Sequence, residues 1–391
     1  MKIKSFILAA VLTASSVIAY AQKGEVTSAK SNYDKFMQLK EASLPLAIPN
    51  LKMAKTSVDK AVVHEKTMAD PSAWTYKALI YGEMALMDSV PSTSKPLIAE
   101  AQNAYKKAVE LDKDGSNKAN LDHANGAIFS QYELNQGVRA YQANNYTDAY
   151  TSFNNALTYR PGDTTITYYA GLSAINSKNY DAGIKSYESL LKTNFSANKS
   201  IYLDLSRLYS MKGDTAKAIS IASEGAAKFN DSQLATQEIE LSLMSGKQKE
   251  VITKIAEQAK KDPKNKLYPY YLGIAYSTVG DVVKAEEAYL QAIAVDPAFP
   301  DANINIGGVI LNKGIAIYNE ANKLPPSQQK EYDAAMKRAS VEFDRAFPYL
   351  QKAVELDTKS RIALENLKTY YLVKKDNAKL DEVTKKIEAL K

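Results

Sequence analysis

No cysteine occurs among the 391 residues, and there are only two histidines and one tryptophan. The first absence excludes disulfides, thiolate metal sites, thiol nucleophiles and a lipid-modified cysteine at an export junction. His64 and His123 stand far apart in sequence, so a Ser-His-Asp arrangement or a two-histidine metal site has little material. Long apolar runs are also lacking. Beyond residue 19 no segment is apolar enough to cross a bilayer as a helix, which takes roughly 20 residues. The formal charge of +6 is too small and too evenly spread to argue for a nucleic-acid partner.

What is abundant is tyrosine, with 26 against 9 phenylalanines, so most of the aromatic surface can pack on one side and hydrogen-bond on the other. With 24% charged and 45% hydrophobic residues the balance is that of a globular chain. The first 21 residues have a different character. Lys2 and Lys4 precede an apolar run from Phe6 to Ala19, and Ala19-Tyr20-Ala21 has the small-x-small form of a cleavage site. The expectation is a signal peptide over residues 1–21, cut before Gln22. The mature chain is then soluble and periplasmic or otherwise extracytoplasmic, with no lipid-anchor cysteine and no membrane span. Loss of Lys2 and Lys4 takes the formal charge from +6 to +4.

The stretch "YYLGIAYSTVGDVVKAEEAYLQAIAVDP", Tyr270 to Pro297, places apolar, small and aromatic residues at helical spacing around a Gly-Asp interruption and closes on Asp-Pro. It reads as two helices back to back. The segment "YYAGLSAINSKNYDAGIKSYESLLKTN" from Tyr168 repeats its Tyr-Tyr-x-Gly start. Aligning the small residue, or its substitute, near the end of each second helix gives Ala108, Ala156, Leu190, Gly225, Gln258, Ala292 and Ala353. The intervals are 48, 34, 35, 33, 34 and 61. Four consecutive intervals within one residue of 34 mark an array built from one supersecondary unit.

This pattern resembles the tetratricopeptide repeat (TPR) family. In the Tyr270 unit, Leu272, Gly273, Tyr276, Ala285, Tyr289, Ala292 and Pro297 fall at the family's consensus positions. The unit before it in quality keeps Gly137, Ala149, Phe153, Ala156 and Pro161; the next keeps Gly171 and Tyr187 but has Gly183 and Leu190 in place of alanine. Weaker units centre on Ala218 and on Val251, and Trp74 stands where the family places its tryptophan. The resemblance is clear from about residue 74 to 357. It implies an all-α fold, a right-handed α-solenoid of about nine antiparallel helix hairpins forming a single array over 22–391, with a C-terminal cap over 360–391. Small residues such as Gly273 and Ala285 let two backbones approach, while Tyr276 and Tyr289 fill the space beside them.

Two intervals are too long, by 14 and 27 residues. The larger surplus, about 314–346, reads as two lengthened helices meeting at Pro325-Pro326, an arm projecting roughly 20 Å at 1.5 Å per residue. It is a candidate partner or homo-oligomer contact; a longer hairpin capping its neighbours is the competing account. The smaller surplus, "MDSVPSTSKPLI" at 87–98, reads as a Ser/Pro-rich loop. The lysine-rich run 247–266 reads as a solvated helix face, and Ser57-x-x-Lys60 as a chance spacing without its companion motifs.

In the resembled family the inner surface is lined largely by the first helix of each hairpin. Carried over residue by residue, the best-matched units place Tyr168, Tyr169 and Asn176 there, then Arg207, then Tyr270 and Tyr271, then Asn305 and Asn312. Tyrosines with amides suit an extended peptide or a partner helix. Tyr168 and Tyr270 could equally pack between neighbouring first helices; Tyr169 and Tyr271 favour the groove. No catalytic residue, cofactor or metal site is expected. The resulting expectation is a non-catalytic protein-binding scaffold of the cell envelope with an unidentified protein partner. A glycan or nutrient binder is the alternative, with the single tryptophan and missing anchor cysteine against it.

Overall fold

The computed structural model describes residues 24–390, and the segment read as a signal peptide lies outside them. Every regular element among the described residues is helical, and the helices follow one another as nine packed pairs. The chain divides into two units, one ending at Asn198 and the other beginning at Lys199. In the first, the helix over 24–40 pairs with Leu44–Ala61, and Pro71–Met87 with Pro91–Leu111. The helical stretch 118–142 then pairs with Tyr146–Tyr159, and Thr164–Asn176 with Tyr180–Leu191. In the second, Asn198–Met211 pairs with Thr215–Phe229, Ser232–Met244 with Gln248–Lys261, and Leu267–Thr278 with Val282–Val295. Pro300–Ala321 pairs with Gln329–Leu356, and Arg361–Val373 with Asn377–Glu388.

The Gly-Asp interruption at 280–281 recurs as a two-part turn. One residue adopts a left-handed backbone, with φ of 59° at Asn144, 64° at Lys178, 82° at Gly213, 84° at Gly280 and 60° at Lys375. The next residue is Asn or Asp, and its side chain accepts the amide N–H three residues on: Asn145, Asn179, Asp214, Asp281 and Asp376 all do this. The first reverses the chain, and the second supplies an acceptor for an amide that no helical carbonyl can reach. The hairpin of Ser232–Met244 and Gln248–Lys261 departs from this scheme. Gly246 makes the turn at φ 82°, but Lys247 follows it and cannot cap.

Glycine-against-aromatic seams hold the pairs. A β-carbon at Gly137 would lie 2.7 Å from the Phe153 ring, one at Gly171 2.8 Å from Tyr187, and one at Gly273 2.5 Å from Cδ1 of Tyr289. In each case the ring stands 16 residues further on, at the facing position of the second helix. Tyr289 is 2% exposed and Phe153 and Tyr187 are fully buried. The small positions aligned in the sequence, Ala108, Ala156, Ala292 and Ala353, are likewise fully buried. Tyr276 lies at the edge, half-buried beneath the Lys284 ammonium. Trp74 is half-buried in the second hairpin, its indole N–H donating to the Met68 carbonyl at 2.7 Å and Lys77 lying over its ring.

The Ser/Pro-rich segment differs from its reading as a loop: only 88–90 are non-helical, and the helix begins at Pro91. Proline at the first helical position gives up an amide that has no intrahelical partner anyway, so the residue that reads as a breaker here starts a helix. Ser94 is fully buried, its hydroxyl 3.2 Å from that of Tyr132. The lysine-rich run is also not uniformly solvated. Lys254 turns inward and pairs with the buried carboxylate of Glu238. Ser57 and Lys60 have separate partners, Ser28 and Glu25, so no reactive pair forms. A π-helical turn at Ala124–Phe129 interrupts 118–142, and the carbonyl of Gly126 within it accepts Arg160 Nε at 2.9 Å.

Candidate functional site

The residues expected to line an inner surface fall into two sets, one in each unit. In the first unit, Tyr169 is 39% exposed, its ring stacked on Phe153 at 5.8 Å and set edge-on to Tyr168 at 5.5 Å. Tyr168 packs sideways, its ring parallel to Tyr187 at 5.9 Å and tilted against Phe195 at 5.5 Å, which leaves it half-buried. Asn176 is exposed and donates to the Tyr141 hydroxyl at 3.1 Å.

In the second unit, Tyr270 sits among Tyr271, Tyr289 and Phe299, and its hydroxyl accepts from Asn305 at 3.4 Å. Burial, and then the nearby Asp301 carboxylate, raise its pKa above the ordinary tyrosine value. Tyr271 is 7% exposed and belongs to the apolar cluster of Ile239, Leu243, Val251 and Ile255. Its hydroxyl donates to Glu240, and burial followed by that hydrogen bond pushes its pKa far upward. Tyr271 therefore offers little surface of its own and instead fixes the Glu240 carboxylate. Asn312 is exposed beside a shallow apolar hollow of about 350 Å³ formed with Val282, Val283 and Val309.

Arg207 opens onto the best-formed feature of this face. A groove of about 550 Å³ runs between the first helices Asn198–Met211 and Ser232–Met244, lined by Arg207, Ser210, Met211, Gln233, Thr236, Gln237, Glu240, Leu241 and Met244. The Arg207 side chain is 59% exposed, with Asp204 at 3.9 Å on its own helix and Glu240 lining the same groove. Met211 and Met244 are 66% and 83% exposed, unusual for thioethers and suited to adapting around apolar side chains. Gln237 rests against the Leu203 carbonyl at 3.5 Å. The sequence reading took only Arg207 from this group. Carrying the same inner-face register 34 residues back from Tyr270 and Tyr271 lands on Thr236 and Gln237, and from Asn312 in steps of 34 on Thr278 and Met244. The signal was present but hidden. This hairpin has Ile239 at its glycine position and Gln258 at its alanine position, so no motif announces the register.

Among the described residues no helix is long and apolar enough to cross a membrane, and no group of three metal-ligating side chains converges. Residues 134–192 match the model of a tetratricopeptide repeat family. No curated protein matches the chain. Among solved structures, YrrB, a TPR protein with an unusual peptide-binding site, is 20% identical, covering 51% of this chain and 95% of its own at a TM-score of 0.37. The C-terminal part of a TPR repeat-containing protein from Cytophaga hutchinsonii is 17% identical, covering 66% of this chain and 95% of its own at a TM-score of 0.48. A TPR repeats protein from Bacteroides fragilis is 21% identical, covering 63% and 97% at a TM-score of 0.34. The segment 134–192 thus carries a tetratricopeptide-repeat match, set in a run of packed helix pairs of which five share one turn and three one glycine-against-ring seam.

Proposed function

We propose that this chain is a non-catalytic protein-interaction scaffold of the bacterial cell envelope, and that the Arg207 groove holds an extended peptide of its partner. The observation that supports this most is the composition of the groove: one exposed guanidinium, two glutamine amides and two exposed thioethers on adjacent first helices. The guanidinium suits a carboxylate, the amides satisfy peptide N–H and C=O groups, and the methionines take an apolar side chain. Tyr169 and Asn176 supply a second contact face in the other unit. The lengthened hairpin around 314–346 is a further contact surface. The envelope assignment rests on the basic-then-apolar pattern of residues 1–21 and its small-x-small end.

The test is affinity capture from envelope extract, comparing the chain from Gln22 onward with an Arg207→Ala, Met244→Ala variant. Both substituted residues are exposed, so circular dichroism should be the same for the two forms. A protein retained by the first and lost by the second supports recognition in the groove. Equal capture by both forms refutes it and moves recognition to Tyr169 or the lengthened hairpin. If neither form retains a protein, the glycan reading takes its place.

A further inference from the structure

The hairpin of Pro300–Ala321 and Gln329–Leu356 carries an uncovered groove of about 490 Å³ near its tip, floored by Ala316, Ile317, Ala321, Leu324 and Ala335. Three of these five residues are alanine, which allows a facing helix to come close. The charged rim is ordered along the groove. Glu320 and Glu331 lie toward the tip and Arg338 toward the base, while Lys313 lines the adjoining hollow beyond it. Glu331 and Arg338 are both exposed, and neither has a hydrogen-bond or ion-pair partner.

Opposite charges at the two ends of one groove are self-complementary about a twofold axis, because residue i meets j while j meets i. The register of the second helix supports this. Glu331 and Arg338 are seven residues apart, two turns or about 10 Å, and are centred beside Ala335. Lys313 and Glu320 are also seven apart, centred between Ala316 and Ile317. The second centre stands several residues nearer the base, since Gly314 packs against Phe343 and Lys313 reaches Glu342, so the axis is set by Glu331 and Arg338. Lys313 is already held by Glu342 at 2.9 Å and Glu320 by Lys323 at 2.6 Å, so the unpaired Glu331 and Arg338 carry the specificity.

We propose that this groove is covered by the same groove of a second copy of the chain, the two hairpins crossing antiparallel as a four-helix bundle. Glu331 of each chain then pairs with Arg338 of the partner subunit. The inference rests on the reading of the lengthened hairpin as a contact surface and is independent of the Arg207 groove. Two helices wide and extending from Ala316 to Leu324, the contact measures roughly 20 Å by 12 Å. That is well below the ~800 Å² per partner of stable complexes, so the dimer is reversible and concentration-dependent.

Analytical ultracentrifugation of the chain from Gln22 onward, over about 1 µM to about 1 mM, tests this. The mass should rise toward the dimer. Glu331→Arg and Arg338→Glu should each weaken association at least tenfold, because each places like charges together twice. The combined Glu331→Arg, Arg338→Glu chain should recover it. Arg207→Ala, Met244→Ala should leave association unchanged, so failure of the peptide groove and failure of the dimer are told apart. A monomer at every concentration overturns the proposal, as does a dimer indifferent to the single changes or one that the double change does not restore. Monomers whose hairpin instead retains another protein also overturn it, in favour of a foreign helix.

Discussion

Gly273→Ala isolates the seam that holds the hairpins together. Alanine in mid-helix ordinarily gains about 1 kcal/mol over glycine through backbone entropy. Here the added β-carbon falls 2.5 Å from Cδ1 of Tyr289, about 1 Å inside normal carbon contact. The ring is 2% exposed and lies in one core with Ile306, Ile310 and Leu311. Overpacking of this kind costs about 1–3 kcal/mol, and a rigid ring puts the cost in the upper half of that range. The net loss should therefore be about 1–2 kcal/mol. Urea unfolding followed by circular dichroism measures it as a fall in midpoint. Tyr289→Leu, destabilising alone through the cavity it leaves, should reduce the penalty of Gly273→Ala when the two are combined. Gly280→Ala is the control: no atom lies within 4 Å, and its cost comes only from a φ of 84°, so Tyr289→Leu should not relieve it. A Gly273→Ala chain as stable as the parent, or strict additivity with Tyr289→Leu, would refute the seam as the source of the glycine requirement.

Two further outcomes follow from buried charge and from capping. Lys254 links Ser223 at 3.1 Å to a Glu238 carboxylate that is 6% exposed, so Lys254→Met should cost about 3 kcal/mol by leaving that charge unpaired. Adding Glu238→Gln should recover much of the loss in the same urea measurement; no recovery would show that the lysine acts through packing alone. Asp231 and Asp281, held by the backbone N–H groups of Leu234 and Lys284, and Asp296, held by the Lys266 ammonium, all have pKa values below the ordinary 3.8. Groups shifted this way stabilise the fold above the unfolded value and lose that contribution as pH falls through the folded one. The thermal midpoint should thus be flat down to about pH 4 and fall below it; a decline already complete by pH 5 would point to other groups.

The architecture was legible because the residues that build it act locally. Gly273 needs its ring 16 places on, and Asp281 needs an amide three places on, so a fixed period carries both. Pro91 misled because proline ends a helix or begins one, and the choice depends on whether a carbonyl waits four residues earlier. Inner-face residues were harder to read. Tyr271 and Tyr169 each stand two residues before the seam glycine of their hairpins, yet one is 7% and the other 39% exposed. The difference comes from the neighbouring hairpin: Tyr271 is drawn in by Glu240 and Ile239, which no property of its own unit encodes. Gln237 and Met244 escaped notice for the opposite reason, since their hairpin lacks the motif residues that set the register.

The placement of the one tryptophan makes the protein its own reporter. Trp74 lies in the second hairpin, and all other aromatic absorption comes from tyrosine and phenylalanine spread through the helices. Excitation at the red edge of the spectrum, where tyrosine is dark, reads that hairpin alone, while ellipticity averages over every repeat. The gap between the two melting curves measures how far a disturbance in one repeat travels before it dies out.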